Sequence, residues 1–441
     1  MLRLRSIHDR EIASLAIPAF GALIAEPLYL LADNAVIGHL GTQQLDGFAV
    51  ASIVLLLGHS FFIFLAYGTT AAVSRFLGAG EKERAAHQAV QSLWLAGLIG
   101  IVFAIIAWVA ASPLIGFFGG SISSAGPIRD HALVYLRVSL LGFPALLLAL
   151  AGVGYLRGLQ DTRRPFYVAI ASAVFNLVLE LVLIYGFDQG IGASALATVL
   201  AQWGVAALYL RWVGAAVRSE GVPLRPDPAV ITKLAVAGRD LFFRTVALRG
   251  AFVVATSVAA RMGEIELAAH QITFELWSFF AYAQDAVAIA AQAMIGHLLG
   301  SGDRAKTREV GNRILELGLG LGVVSAAAAI GFRPWLPHVF TGDAEVAALT
   351  AFLLLHLAVQ QPLNGLVFAL DGILIGANDL WFLAKAMIGA ALVFVPLALL
   401  VLRFDLGLGW LWGSLMLFMS IRFAALFRRY RSDAWIVTGS G

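Results

Sequence analysis

The chain has 441 residues, of which 60% are hydrophobic and 13% charged, with a formal net charge of +3 and a mean hydropathy of +0.86. Soluble domains carry about 25% charged residues, so this composition excludes a soluble globular protein: a chain this long with so few charges must present apolar surface to lipid. The basic residues behind the pI near 9.3 are dispersed through loops, which argues against nucleic acid, and the absence of cysteine excludes disulfides, thiolate metal sites and a cysteine nucleophile.

The opening residues are charged, and the first apolar run contains Pro18, Glu26, Pro27 and Asp33. A signal peptide has a shorter and cleaner apolar region, so no cleaved leader is expected. Apolar stretches then follow at about 12–37, 46–76, 88–111, 126–156, 165–186, 191–217, 233–261, 266–299, 310–332, 345–375, 383–403 and 407–429. At roughly 20 residues per crossing these predict an all-α polytopic membrane protein with twelve transmembrane helices and no large soluble domain. Several stretches exceed the span and are expected to tilt, bend or extend beyond the bilayer.

Basic residues set the orientation. With the N-terminus inside, the inside connections receive Arg75, Lys82 and Arg84, then Arg157, Arg163 and Arg164, then Arg211, Arg218, Arg225, Lys233 and Arg239, then Arg304, Lys306, Arg308 and Arg313. Lys385 lies near the last of them, and Arg422, Arg428, Arg429 and Arg431 close the chain on the same side. The outside connections receive Arg129, Arg261, Arg333 and Arg403. This asymmetry predicts two cytoplasmic termini in a plasma (inner) membrane and an even number of crossings.

The longest inside connection, residues 218–233, holds Pro223, Pro226 and Pro228 at mid-chain, and proline breaks helices and stiffens linkers. It predicts an N-terminal lobe at 1–218, a linker at 219–232 and a C-terminal lobe at 233–441. The halves are related. FLGAGE at 76–81 matches LLGSGD at 298–303 with an offset of 222 residues, which also aligns Leu40-Gly41 with Met262-Gly263 and Leu45 with Leu267. Pro144, Gly158 and Asp161 match Pro362, Gly376 and Asp379 with an offset of 218. Six crossings per half make these parallel repeats, related by an axis along the membrane normal.

Several segments then carry a family likeness. LADNAVIGHLG at 31–41 resembles the first-helix signature of the multidrug and toxic compound extrusion (MATE) family. NLVLELVLIYG at 176–186 and GASALATVLAQ at 192–202 resemble its fifth and sixth helices, and GYLRGLQD at 154–161 also fits. AHQITFELWSFFAYAQD at 269–285 with LDGILIGAND at 370–379 resembles the DinF-like branch. The likeness covers nearly the whole chain. It implies two six-helix lobes around a V-shaped cavity and export of drugs or organic cations driven by an inward H⁺ or Na⁺ gradient.

A charged side chain at the bilayer centre costs at least ~2.5–3.5 kcal/mol on insertion scales, so each intramembrane acid needs a reason. Low dielectric favours the neutral acid, and a group so tuned can exchange a proton near neutral pH. Asp33 lies deep in the first span with Asn34 beside it, and Glu26 is two helical turns earlier on roughly the same face. Asp33 is either an ion-binding group or a hydrogen-bonded structural carboxylate. Glu180 follows Asn176 by one turn on the fifth span, and Thr198 comes from the sixth. The resemblance implies that Asn176, Glu180 and Thr198 join Asp33 in a polar ion-coupling cluster. The family acid is usually Asp, and the longer Glu suits proton exchange better than a tight Na⁺ cage, although an oxygen-rich cluster also suits Na⁺. In the C-terminal half, Arg244 and Asn364 occupy positions where the NorM branch carries acids, which implies that its C-lobe cation site is absent here. Asp371, Asp285 and Glu275 are intramembrane acids with Arg244 and Arg249 as possible partners. They form either a structural or gating charge network or direct ion and substrate contacts.

Among aromatics, Tyr29, Phe64, Tyr67, Phe274, Trp277, Phe280 and Tyr282 are candidates to line a path for flat cations, with Tyr67 and Trp277 foremost, and packing or lipid contact is the plainer reading for most. Glu26, Tyr29, Asn34, Tyr67, Arg244, Trp277 and Asp371 are the substrate-path candidates. Glycine, at 45 residues, fits close helix approach in membranes. His59, His87, His297 and His356 show no metal-ligand spacing, and Walker, HExxH and GxSxG motifs are absent, so neither an enzyme nor a cofactor is expected. The expected function is a secondary antiporter, a monomer in the lipid bilayer, that exports amphipathic or cationic organic molecules. A lipid-linked precursor flippase of the same broad superfamily is the alternative.

Overall fold

The computed structural model describes residues 7–120, 126–187 and 190–440, and of Glu26 only the backbone. Every regular element among them is helical. The N-terminal half contains α1 (Asp9–Gly38), α2 (Thr42–Phe62), α3 (Phe64–Gly78), α4 (Lys82–Val109), α5 (Ala111–Gly119), α6 (Pro127–Leu140), α7 (Phe143–Gly158), α8 (Arg163–Leu181) and α9 (Ile191–Glu220). A π-helical turn, Val182–Gly186, continues α8. The C-terminal half contains α10 (Pro228–Met262), α11 (Glu264–Gly300), α12 (Arg304–Phe332), α13 (Leu336–Phe340), α14 (Ala344–Gly376), α15 (Leu380–Arg403) and α16 (Leu408–Arg431).

Ten of these segments are long and apolar enough to cross a membrane, with α2 and α3 counted as one span, and the bent pair α6 and α7 makes eleven. The twelfth is α11, whose 37 residues exceed a bilayer but include Gln284, Asp285, Gln292 and His297. Exposed Leu98, Ile101, Val102, Ile105 and Ile106 on α4 follow from lipid as the solvent. Of the long apolar stretches expected to tilt, bend or extend, the fourth is one that bends. It bends by 47° between α6 and α7, where Pro144 opens α7. Proline at a helix start is tolerated, but it ends the ladder of the helix before it.

By contacts the chain divides into Gly21–Gly238 and a second unit made of Met1–Phe20 with Arg239–Gly441. The cuts fall inside α1 and α10, at positions the 218-residue offset superposes. In the second unit, Asp9 is gripped by Arg313 of α12 through paired bonds of 2.6 and 2.8 Å.

The repeat is visible in the helix crossings. A Cβ added at Gly100 would stand 2.7 Å from Pro144 Cα, and one at Gly322 would stand 2.7 Å from Pro362 Cα. One at Gly154 would meet Ala66 O at 2.6 Å, and one at Gly372 would meet Ala288 O at 2.5 Å. Each pair maps onto the other by the 222- and 218-residue offsets. In both units the small residue lets two backbones touch. Turns repeat as well: Gln160 and Asn378 both have φ of 60°, and Gly80 and Gly302 have φ of 79° and 83°.

Candidate functional site

Three helices of the unit Gly21–Gly238 each contribute two polar side chains one turn apart, the spacing that puts both on one face. They are Tyr29 and Asp33 on α1, Asn176 and Glu180 on α8, and Ser194 and Thr198 on α9. Thr198 is the hub: its hydroxyl lies 2.9 Å from the Tyr29 hydroxyl, accepts from Asn176 Nδ2 at 3.1 Å and donates to Ser194 O at 3.2 Å. Asp33, Asn176 and Glu180 are 1%, 2% and 0% exposed. The Asp33 and Glu180 carboxyls lie close enough to interact directly. Tyr135 enters from α6, with its hydroxyl beside Ser194 and Thr198 and its ring edge-on to Phe48 at 5.0 Å.

Five oxygens of this cluster are buried without a partner at hydrogen-bond geometry: the acceptors Asp33 Oδ1, Asn176 Oδ1 and both carboxyl oxygens of Glu180, and the Ser194 hydroxyl, which can also donate. Buried acceptors are almost always paired, so these unpartnered oxygens mark the cluster as the candidate site of this unit. Among the described residues no group of three or more His, Asp or Glu could hold a metal ion.

The remaining N-terminal candidates fall differently. Tyr29, expected on the substrate path, bonds into the polar cluster. Asn34 is exposed and donates to Leu30 O of its own helix at 2.8 Å. Tyr67 is buried in α3. The Glu26 side chain lies outside the described residues. Tyr135 and Ser194 were not anticipated; Ser194 could have been found from its one-turn spacing to Thr198, whereas nothing in the sequence ties Tyr135 to the cluster.

The second unit holds a different centre. Asp371 of α14 accepts from Arg244 of α10 at 2.6 Å and from Arg422 of α16 at 2.7 Å, both at the same oxygen, Oδ2. Sequence reasoning placed Arg422 with the basic residues closing the chain on the cytoplasmic side. It is instead 3% exposed and deep in α16, because Asp371 offers it a buried partner. The wider charge network expected with Arg249 and Glu275 does not form: both side chains are exposed and make no ion pair among the described residues. Asp285 is half-buried on α11. Nearby, Trp277 stacks on Phe274 at 5.6 Å and lies 5.0 Å from Phe252. Asn364 is buried with Oδ1 lacking a donor.

The family model MatE matches residues 18–182 and 241–400, most of the chain. Protein DETOXIFICATION 44, chloroplastic, of Arabidopsis thaliana is 34% identical over 428 residues, which cover 94% of this chain and 81% of that protein. DNA damage-inducible protein F of Escherichia coli K12 is 28% identical and covers 97% and 94%. A crystal structure of MATE in the bent conformation shares the fold, with TM-score 0.87 at 22% identity over 97% of each chain. The two-unit helical bundle, its repeated glycine crossings and these matches together identify the chain as a multi-pass membrane transporter, not an enzyme, of the multidrug and toxic compound extrusion (MATE) family.

Proposed function

We propose that this transporter is a secondary antiporter that expels amphipathic organic molecules, cations among them, in exchange for inward H⁺. The supporting observation is the pair of buried carboxyls, Asp33 and Glu180, three of whose four oxygens lack a hydrogen-bond partner, with Asn176 Oδ1 unpartnered beside them. Two carboxylates in contact inside a low-dielectric bundle repel each other, so the pair holds an added positive charge in one state and releases it in another. An ion shifts the equilibrium between inward- and outward-facing states only by its differential affinity for them. The cluster spans α1, α8 and α9, so any rearrangement of these helices alters the affinity. Thr198, which links Tyr29 of α1 to Asn176 of α8, would carry the rearrangement between helices. Na⁺ is the competing coupling ion. The distribution of basic residues supports an inner-membrane protein with both termini cytoplasmic.

The test is efflux of ethidium from proteoliposomes with H⁺ and Na⁺ gradients imposed separately. The expected result is efflux driven by the H⁺ gradient alone, abolished in Asp33→Asn while the protein still inserts. Full gradient-driven efflux by Asp33→Asn would overturn the assignment, and efflux driven only by Na⁺ would replace the proton with that ion.

A further inference from the structure

The connection between α9 and α10 reads in the sequence as a linker, because it carries Pro223, Pro226 and Pro228. In three dimensions it is fastened to α4. The buried Gln91 side chain uses both ends of its amide: Nε2 donates to Arg225 O at 3.1 Å, and Oε1 accepts from Asp227 N at 2.8 Å. One turn along, Trp94 Nε1 donates to Leu224 O at 2.8 Å. Val222 packs with Tyr209, Val213 and Val217 in a buried cluster. Asp227 Oδ1 then accepts from Ala229 N and Val230 N, which starts α10. A hinge must absorb backbone rotation, and a segment whose backbone groups are paired in this way resists it.

The start of α1 is held at repeat-related positions. Arg313, which grips Asp9, stands 222 residues after Gln91, and Asp227 stands 218 residues after Asp9. The first helix of each half therefore begins on the unit built by the other half. For α10 the change of unit falls between Gly238 and Arg239. A Cβ added at Gly238 would run into the Phe64 ring, whereas one at Gly250, further along the same helix, would have nothing within 4 Å. Glycine weakens a helix interior, and at Gly238 it also lets the backbone lie against that ring. We propose that the proline-rich connection moves as a rigid part of the N-terminal unit, and that α10 flexes at Gly238, against Phe64, when the transporter changes access. The inference uses the change of access and no particular coupling ion. Distances read at equilibrium without a gradient test it, so failure of proton coupling and failure of this device are separable.

The experiment is pulsed spin-label distance measurement on the full-length protein in nanodiscs, at acidic and alkaline pH, with and without Na⁺ and ethidium. The absence of natural cysteine allows labels at the exposed positions Lys82, Arg225 and Arg261. Lys82→Cys with Arg225→Cys reports the fastening, and Arg225→Cys with Arg261→Cys reports the end-to-end length of α10. The first distance is expected to be the same in every condition, and the second to shift by several ångströms between conditions. Gly238→Ala is expected to abolish that shift and Gly250→Ala to keep it. Phe64→Ala added to Gly238→Ala is expected to restore the shift, because it removes the obstructing ring; a general loss of packing would not be reversed by deleting a buried side chain. A change in the first distance, a constant second distance, an unaltered shift in Gly238→Ala, or no restoration by Phe64→Ala would each overturn the proposal. If Gly238→Ala fails to fold, the two labelled pairs with Gly238 intact decide it.

Discussion

At the residue scale, the polar cluster rests on the hydrogen-bond capacity of one hydroxyl. Thr198 has one proton to give and two lone pairs to fill; it donates to Ser194 O, accepts from Asn176 and meets the Tyr29 hydroxyl. Thr198→Val keeps the shape and removes the hub. Interhelical hydrogen bonds in membranes average about 0.6 kcal/mol, so the expected result is a modest loss of thermal stability in detergent, read by a melting curve, together with a larger loss of driven efflux. No change in either would remove Thr198 from the cluster's working parts. Glu180 tests proton against metal-like coupling. Glu180→Asp is expected to retain H⁺-driven efflux at a reduced rate, because a carboxyl one methylene shorter still exchanges a proton, whereas Glu180→Gln is expected to lose it. Asp33 and Glu180 were legible in the sequence as acids in apolar runs, whereas the grouping of Asp33, Asn176, Glu180 and Thr198 into one cluster came from the family resemblance. Tyr135 was not legible, because a tyrosine in the middle of an apolar span reads as one more packing aromatic.

At the element scale, the crossings of α4 on α7 and of α12 on α14 are set by glycine meeting proline. Gly322→Ala would drive a methyl group to 2.7 Å from Pro362 Cα and 2.4 Å from Gln361 O, and backbone cannot yield as a flexible side chain can. Overpacking costs about 1–3 kcal/mol, so the melting temperature is expected to fall. Gly320→Ala, two residues away with nothing within 4 Å, is expected to be neutral or slightly stabilising, since alanine is the better helix former by about 0.5–1 kcal/mol. Equal melting temperatures for the two variants would show that the crossing tolerates a methyl group. The offsets that revealed the repeat in sequence also relate these contact residues, Pro144 and Pro362 among them, because close approach restricts side-chain size most where backbones meet. The bend between α6 and α7 was less legible. Pro144 and Pro362 occupy matched positions, yet Pro144 begins a new helix whereas Pro362 lies inside the continuous α14.

At the scale of the whole molecule, the natural absence of cysteine makes topology directly measurable. Arg225→Cys, in the connection between α9 and α10, is expected to react with an impermeant maleimide only from the cytoplasmic side. Asp405→Cys, between α15 and α16, is expected to react only from the outside, and labelling of both from one side would refute the twelve-span orientation. Hydropathy, basic-residue asymmetry and the two offsets established by themselves a polytopic protein of two parallel six-helix halves. They could do so because lipid forces every span to be a helix with its backbone bonds satisfied internally, so length and apolarity alone predict the elements. Which polar groups meet was decided only in three dimensions. Arg422 reads as one more basic residue near a cytoplasmic end until α16 lays it against Asp371, and Arg249 and Glu275 read as network members until their helices leave them exposed. Hydropathy does not encode the rotation of a helix about its axis when its faces are nearly equally apolar; packing against neighbours sets it, and with it the partner of each buried charge.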